Sequence, residues 1–453
     1  MAKSTCVKQS KLQNICVVGA GHVGLVAAAC FAELGHSVIC ADSDAKRINS
    51  LNKMKLPFYE PDLEALVKKN IKRGNLHFVA SLDDAFSKSK IIFLAVGTPP
   101  QADGSADLTS IENVARTIAK NLNSYKLIVE KSTVPVQTGQ KVKETIYRYR
   151  KTSVDFDVAS NPEFLREGRA VYDFFYPDRI VIGVESERAE KLFRCIYSSI
   201  KSPVIVTDIN TAELIKHASN SFLATKISFI NAVARICDVA GADIKKVALA
   251  MGLDSRIGKE FLQAGVGYGG SCFPKDVEAF IYISKKLGYD FSLLKSVKSI
   301  NDDQRRYFVD KIKEHLWMLK DKTICVCGLS FKPDTDDIRE APSVDIVNYL
   351  LEQGAKASLY DPKIGSEIKG LLSVKTKPSS KKSKRPYSFF NNPYEAAKKS
   401  DCLCFLTEWD EFLKLDFKRI KKMMNYPLIA DGRNMFDRKF LTSLGFEYIG
   451  MGR

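Results

Sequence analysis

A short β-branched run, Asn14 to Val18, leads straight into Gly19-Ala20-Gly21-His22-Val23-Gly24 and then into an alanine-rich stretch, Leu25 to Leu34. Strand, glycine turn and helix in that order leave the chain few architectures. A second strand, Ser37 to Ala41, ends at Asp42, 23 positions after Gly19, where a carboxylate can accept from the adenosine ribose hydroxyls of a dinucleotide. Gly19 serves the tight turn, Gly21 lets backbone approach a pyrophosphate, and Gly24 lets the helix pack closely on the strand. The phosphates would then rest on the helix N-terminus. Asp42 repels a 2′-phosphate, which predicts NAD rather than NADP, with Lys46 and Arg47 nearby pulling the other way.

The chain has 453 residues, 45% hydrophobic and 27% charged. That is enough for two or three domains and unlike a disordered, collagenous or coiled-coil sequence. No apolar run approaches the roughly 18 residues needed to cross a bilayer, and Met1 to Asn14 lacks a signal peptide's apolar centre, so a soluble, cytoplasmic protein is expected. Eleven scattered cysteines without a C-x-x-C point to neither a disulfide framework nor a zinc ribbon, and no metal site is predicted. Lys plus Arg exceed Asp plus Glu by 16, an excess that attracts an anionic partner. Part of it lies in the basic low-complexity run from Lys375 to Pro386, read as a solvated loop.

Further strands are predicted at Lys90 to Val96, Lys126 to Lys131, Phe156 to Ser160 and Arg179 to Val184, separated by helical patterns or loops. This alternation reads as α/β with a doubly wound parallel sheet. Several of these strands end in turn-forming residues, at Gly97-Thr98-Pro99-Pro100, Ser132-Thr133-Val134-Pro135 and Asn161-Pro162-Glu163. Ligands of open α/β sheets bind outside the carboxyl ends of the strands, so these loops are expected to line a cleft. From Asn210 to about Leu316 the pattern is helical, and its apolar segment Ala212 to Ala240 is expected to join two lobes and to supply a dimer interface. After Lys322 the alternation returns. Ile15 to Gly19 is echoed by Ile324 to Gly328, Gly35 to Asp42 by Gly354 to Asp361, and Lys88 to Val96 by Lys399 to Leu406. Two related parallel-sheet lobes joined by a central helical region are implied. Gly328-Leu329-Ser330-Phe331-Lys332-Pro333 stands in place of the glycine turn, so the second lobe is expected to bind something other than a dinucleotide.

The segment richest in chemistry is Gly265-Val266-Gly267-Tyr268-Gly269-Gly270-Ser271-Cys272-Phe273-Pro274-Lys275-Asp276. Its glycines allow backbone to wrap a ligand closely, and Pro274 with the periodic run Val277 to Leu287 announces a helix. Cys272 therefore falls at a helix N-terminus beside Lys275, where peptide dipoles and an ammonium both favour the thiolate of a nucleophilic cysteine. The other ten cysteines read as small buried hydrophobes. Lys216 and Asn220 lie four apart on one helical face, which by spacing alone marks no more than a solvated helix side. Glu163 and Glu167 in Asn161 to Gly168 offer two carboxylates at a strand end, which alone could be helix-capping acids.

Gly19 to Gly24 with Asp42, Val96 to Pro100, Ser132 to Pro135, Asn161 to Gly168, Gly267 to Asp276, Gly328 to Lys332 and Asp431-Gly432-Arg433-Asn434 resemble the UDP-glucose/GDP-mannose dehydrogenase family. The likeness holds in order over almost the whole chain. It implies an NAD-binding Rossmann domain at 1–208, a central helical dimerisation domain with the cysteine loop at 209–316, and a C-terminal Rossmann-like nucleotide-sugar domain at 317–453. It also implies a four-electron oxidation, sugar alcohol to acid, using two NAD, in a homodimer or higher homo-oligomer. By motif, Cys272 is the nucleophile, Lys216 and Asn220 stabilise the oxyanion, and Asp276, Thr133 and Glu163 handle protons and water. The resemblance assigns NAD contacts to Gly19, Gly21, Val23, Gly24, Asp42, Arg47, Thr98, Thr133, Glu167, Lys275 and Arg339. It assigns nucleotide-sugar contacts to Glu163, Phe164, Leu165, Lys216, Asn220, Phe261, Leu262, Gly269, Phe331, Lys332 and Arg433, with Arg256 crossing to a neighbour's substrate.

Within the family, Asn161 to Leu165 and Phe261-Leu262 followed by Gly265 to Asp276 are most similar to the branch that oxidises UDP-glucose to UDP-glucuronate. Enzymes of GDP-mannose and UDP-N-acetylhexosamines are the alternatives. Gln263 stands where many relatives have lysine, and the basic run has no clear family counterpart. A one-step hydroxyacid dehydrogenase of similar architecture would need no such cysteine. A nucleic-acid partner is not indicated, since no helix-turn-helix, zinc module or aromatic RNA-binding motif is present. No membrane partner is expected.

Overall fold

The computed structural model describes residues 12–372 and 386–453; the basic run from Lys375 to Arg385 lies outside them. The chain forms two compact units, one of residues up to 219 with 278–288, the other of 220–277 with 289–453. The central segment 209–316 is thus shared between them.

The first unit runs through β1 (Asn14–Val18), α1 (His22–Glu33), β2 (Ser37–Ala41), α2 (Ala45–Asn52), α3 (Leu63–Lys72), β3 (Leu76–Val79), α4 (Leu82–Lys88) and β4 (Ile91–Leu94). It continues with α5 (Thr109–Lys120), β5 (Lys126–Glu130), α6 (Thr138–Tyr149), β6 (Phe156–Ser160), α7 (Ala170–Phe175), β7 (Ile180–Gly183), α8 (Glu187–Ile196) and β8 (Val204–Thr207). Its eight strands lie in the order β3-β2-β1-β4-β5-β6-β7-β8. The central strands are buried on both faces, which is why they read as continuous apolar runs. Ile15 and Val17 pack with Ala28, Phe31 and Phe93 on one face. Cys16 and Val18 pack with Ile92, Leu94 and Ile128 on the other.

The predicted strands are present, β1, β2 and β6 with the expected bounds and β4, β5 and β7 with ends trimmed by a residue or two, and β3 and β8 are additions. One pairing departs from the parallel order, since β6 and β7 are antiparallel through Ser160 and Gly183. The 161–179 connection, with the six-residue α7 inside it, stays at the end of the sheet where β6 stops, and β7 starts from there. That connection carries Glu163 and Glu167.

The helices α9 (Ile209–Ala240), α10 (Ile244–Leu253), α11 (Phe273–Lys286) and α12 (Ser292–Leu316) follow. The second unit then adds β9 (Thr323–Cys327), α13 (Pro342–Glu352), β10 (Lys356–Tyr360), β11 (Tyr387–Phe389), α14 (Pro393–Ala397) and β12 (Cys402–Phe405). It closes with α15 (Phe417–Met423), β13 (Leu428–Asp431), α16 (Arg438–Ser443) and β14 (Glu447–Ile449). Its sheet order is β11-β10-β9-β12-β13-β14, with every pair parallel.

The sequence echo is structural. β1 lies between β2 and β4, β9 between β10 and β12, and Asp42 and Asp361 both follow the second strand of their lobe. Asp361, however, is used internally. Its Oδ2 accepts from Leu329 N at 2.7 Å, Ser330 N at 3.2 Å and Trp409 Nε1 at 3.2 Å. No helix among the described residues is long and apolar enough to cross a membrane.

Candidate active site

In the first unit the glycine turn has the shape its spacing predicts. A Cβ on Gly19 would stand 2.5 Å from Ala95 O, and one on Gly24 would stand 1.8 Å from Gly19 O. A Cβ on Gly21 would meet nothing within 4 Å. Gly21 opens α1, and no side chain caps that end, so the first-turn N–H groups are directed at whatever lies over Gly21. This cradle fits a pyrophosphate. Val23 packs against the core at its edge.

Asp42 accepts from Ala20 N at 2.8 Å, Asp44 N at 2.9 Å and Arg47 Nη1 at 2.8 Å. Burial alone would raise its carboxyl, but these donors together hold it below the usual range. Arg47, expected near the cofactor, is thus engaged by Asp42. Thr98, buried, donates to Thr133 O at 3.0 Å, and Ser132 Oγ donates to Val96 O at 2.6 Å. The β4 and β5 end loops are therefore tied together, with Thr133 half-buried between solvent and protein.

Lys216 departs from the solvated face that spacing alone suggests. It is 4% exposed, and its Nζ donates to Glu163 Oε1 at 3.0 Å. Glu163 Oε2 accepts from Leu165 N at 2.6 Å, and Lys216 Nζ lies 5.4 Å from the Phe164 ring centroid. Glu163, Phe164, Leu165 and Lys216 therefore form one cluster. Glu167 is buried in the same connection. The next residues, Gly168 and Ala170, donate their amides to Glu60 at 2.7 Å each.

Behind Glu163 stands a residue the sequence did not single out. Lys131 is 5% exposed and donates to Asn161 Oδ1 at 2.9 Å. Burial pushes its ammonium down to about 8, against an upward pull from Glu163. A lysine closing an apolar strand was the signal available.

The second unit holds the cysteine. Cys272 directly precedes α11, is partly exposed, and its carbonyl accepts Asp276 N at 2.8 Å as the first helical bond. Ser271 Oγ lies 3.5 Å from its sulfur. Asp276 is 1% exposed and takes Asn220 Nδ2 at 2.6 Å and Lys275 Nζ at 2.7 Å. The ammonium expected beside the thiolate is therefore held by Asp276. Among the ten described cysteines only Cys272 and Cys195 are not buried.

The glycines of the cysteine loop, expected to wrap a ligand, serve close packing within this unit. A Cβ would stand 2.8 Å from Gly432 O at Gly265, 2.1 Å from Glu340 O at Gly269 and 2.7 Å from the Phe331 ring at Gly270. Gly267, at φ +98°, lies against Asn301. Arg433 fastens the same loops, donating to Leu406 O at 2.8 Å, Gly267 O at 3.1 Å and Phe331 O at 3.1 Å. Lys332 Nζ lies 5.4 Å from the Phe331 ring.

Phe261 holds φ at +64°, a strained value for an aromatic residue that clusters at ligand sites. Leu262, Gln263, Lys245, Lys259 and Arg433 line a cavity of about 410 Å³. Arg339 meets the cysteine loop through its carbonyl, which accepts Gly270 N at 3.0 Å, while the Arg256 and Arg339 side chains lie outward. Their side chains are 88% and 62% exposed and each pairs with the aspartate two residues before it, Asp254 and Asp337. Among the described residues no His, Cys, Asp or Glu side chains group to hold a metal.

Residues 13–201 match the NAD binding domain of the UDP-glucose/GDP-mannose dehydrogenase family, 210–303 its central domain and 325–438 its UDP binding domain. The UDP-glucose 6-dehydrogenase TuaD of Bacillus subtilis is 43% identical over 442 residues, 98% of this chain and 94% of its own. The UDP-glucose 6-dehydrogenase of Rhizobium meliloti is 42% identical over 97% of this chain and 99% of its own. A solved UDP-glucose dehydrogenase from Pyrobaculum islandicum superposes with a TM-score of 0.88 at 36% identity, covering 98% of this chain and 99% of that one. The dinucleotide cradle, the lone cysteine before α11 and full-length similarity agree, and the chain belongs to the UDP-glucose/GDP-mannose dehydrogenase family.

Proposed function

We propose that the protein oxidises UDP-glucose to UDP-glucuronate with two NAD and water, through a thiohemiacetal and a thioester on Cys272. The observation that carries this reading is the partly exposed Cys272 just before α11, one helical turn from the buried Asn220–Asp276 pair. Full-length similarity to UDP-glucose 6-dehydrogenases supports the choice of sugar.

Bound NAD supplies the hydride acceptor for both oxidations. The rest falls to the chain. Glycines 19, 21 and 24 and Asp42 hold the dinucleotide, with Thr98, Glu167 and Arg339 as further contacts. Once the C6 alcohol has become an aldehyde, the Cys272 thiolate adds to its carbon, and the oxygen takes on negative charge. Helix α9 delivers two donors to that oxygen, the Lys216 ammonium and the Asn220 amide. Glu163 keeps Lys216 charged in its buried place, and Asp276 orients the Asn220 amide. After the second oxidation, water positioned by Thr133, Glu163 and Asp276 attacks the thioester carbon, and the C–S bond breaks to return the thiolate. Arg433, Lys332, Phe331, Phe261 and Leu262 hold the diphosphate sugar, to which guanidinium and ammonium groups are suited.

We further propose a homodimer. Phe222, Phe229 and Ile236, seven apart on α9, are 66%, 52% and 65% exposed, and Leu249 and Leu253 on α10 are 64% and 78% exposed. A heptad-spaced apolar stripe on a long helix suits a second copy of itself, with Arg256 crossing to the neighbour's substrate. A cytoplasmic location and supply of an acidic sugar for polysaccharide fit the same reading.

The test is NADH yield. Purified protein with limiting UDP-glucose is expected to release two NADH per sugar, and one NADH would sink the thioester route. A preference for GDP-mannose or a UDP-N-acetylhexosamine in the same assay would move the enzyme to a sibling branch.

A further inference from the structure

Two acidic residues beside the proposed reaction groups are not used by the chemistry above. Glu213, one turn before Lys216 on α9, is 2% exposed. Its Oε2 accepts Gln137 N at 2.7 Å and its Oε1 accepts Gly139 N at 2.9 Å. These are the opening amides of α6, which orphan donors would otherwise leave unmet. Gln137, just before that helix, has φ +74°, a left-handed value that a non-glycine side chain keeps only when its surroundings impose it.

Four residues beyond Glu213, His217 Nε2 lies 2.8 Å from Val134 O. The loop that carries Thr133 is therefore fastened to α9 at two points, and Lys216 sits between them in sequence. Glu130, the last residue of β5, faces Glu213 at 1% exposure, and no N–H among the described residues reaches either of its oxygens. Two buried carboxyls side by side cannot both ionise. Burial, and then Glu213, push the Glu130 carboxyl well above the usual range; burial raises the Glu213 carboxyl too, but there the amides of Gly139 and Gln137 and the hydrogen bond from Glu130 pull back towards the carboxylate, so of the two Glu213 is the one that carries the charge. A Cβ on Gly139 would stand 2.7 Å from Ile209 Cγ2 and 3.2 Å from Glu130 Oε2, so glycine lets α6 begin against the start of α9 and against Glu130.

We propose that Glu213 is a positioning residue. As a carboxylate bonded to the start of α6 and steadied by the proton of Glu130, it fixes the Thr133 loop relative to Lys216. The proposal rests on Thr133 and Lys216 acting in the reaction.

The experiment compares Glu213→Gln with Glu130→Gln in the full chain, reading kcat, the KM for NAD and for UDP-glucose, and Tm. An amide at 213 gives up one of the two backbone bonds, whereas an amide at 130 still offers the hydrogen that the neutral acid offers. Glu213→Gln is expected to lower kcat about tenfold or more with both KM values within about threefold, and Glu130→Gln to keep kcat within about threefold. Unchanged kcat in Glu213→Gln, or equal loss in both variants, overturns the proposal. If Glu213→Gln does not fold, Glu213→Asp, which keeps the charge but draws back from the amides, decides by the same kcat-against-KM split. Wild-type NADH yield from UDP-glucose is measured alongside. Its failure removes the functional reading, whereas a normal wild type with an unaffected Glu213 variant removes only this proposal.

Discussion

Lys216 Nζ lies 3.0 Å from Glu163 Oε1, with only 5% and 4% of the two side chains reaching solvent. Removing one member of such a pair leaves a buried charge without its counterion, which costs about 3–5 kcal/mol. Lys216→Met is therefore expected to lose stability of that order in chemical denaturation. Lys216→Met/Glu163→Leu is expected to recover most of it, because apolar replacement of both partners is often neutral. Neither variant is expected to form NADH. Activity in the double variant would show that the pair serves the fold alone.

Among the described cysteines, Cys272 should be the thiol that reagents find. Cys195 is the other described cysteine not buried, and burial pushes thiols such as Cys16 and Cys30 up, away from the reactive anion. Iodoacetamide is expected to abolish activity in step with modification of Cys272, followed by peptide mass, and UDP-glucose is expected to slow it. Cys272→Ser is expected to reduce the overall rate by about a thousandfold or more, since a neutral hydroxyl is a poor nucleophile. Full activity after quantitative alkylation of Cys272 would remove the covalent mechanism.

Gly21 and Gly269 separate ligand-facing from packing glycines. Alanine at 269 would place a methyl 2.1 Å from Glu340 O, so that backbone must move, at a cost of about 1–3 kcal/mol or more. Gly21 has φ −78° and open space where a Cβ would go, so Gly21→Ala should leave the melting temperature almost unchanged. Its methyl would instead occupy ground a pyrophosphate approaches, and NAD affinity is expected to fall about tenfold. Titration of NADH fluorescence together with a thermal melt reads both variants, and unaltered NADH binding by Gly21→Ala would contradict the placement of the phosphates.

The parts of the fold that were legible in the sequence are those set by local patterns. β1, α1, β2 and Asp42 follow from apolar runs, glycine spacing and one acid at a strand end, and the likeness of Ile324 to Gly328 to Ile15 to Gly19 revealed the second lobe. What was hidden depends on tertiary burial. Lys216 looks like any helix lysine until Glu163, 53 positions away, is seen to face it. Glu60, Lys131, Glu130 and Glu213 give no local sign that they are buried, because a charged residue beside a turn is ordinarily solvated. The glycines of the cysteine loop pointed to close approach, yet their partners, Gly432, Glu340 and Phe331, lie far along the chain. The antiparallel β7 likewise depends on the path of the 161–179 connection, which periodicity leaves open.

Lys131 offers a test of burial through pH. Its ammonium is pushed down to about 8 in the fold, by burial first and then by Lys216 against the pull of Glu163, whereas an unfolded lysine titrates near 10.4. Below about pH 8 both states hold the proton, and the fold bears the full cost of a buried charge. Between about 8 and 10.4 the unfolded chain still binds a proton that the folded chain has released, so this group's contribution to stability rises with pH, by at most about 1.4 kcal/mol per unit. Above that window both are neutral and the contribution levels off. Lys131→Met removes the titration while Tyr197 OH still donates to Asn161 Oδ1 at 2.7 Å. Denaturation of both proteins from pH 6.5 to 10 should therefore give a stability difference, wild type minus variant, that is flat at the acid end and climbs in favour of wild type above about pH 8. A difference that stays constant over the whole range would mean that Lys131 is solvated enough to keep its ordinary proton affinity.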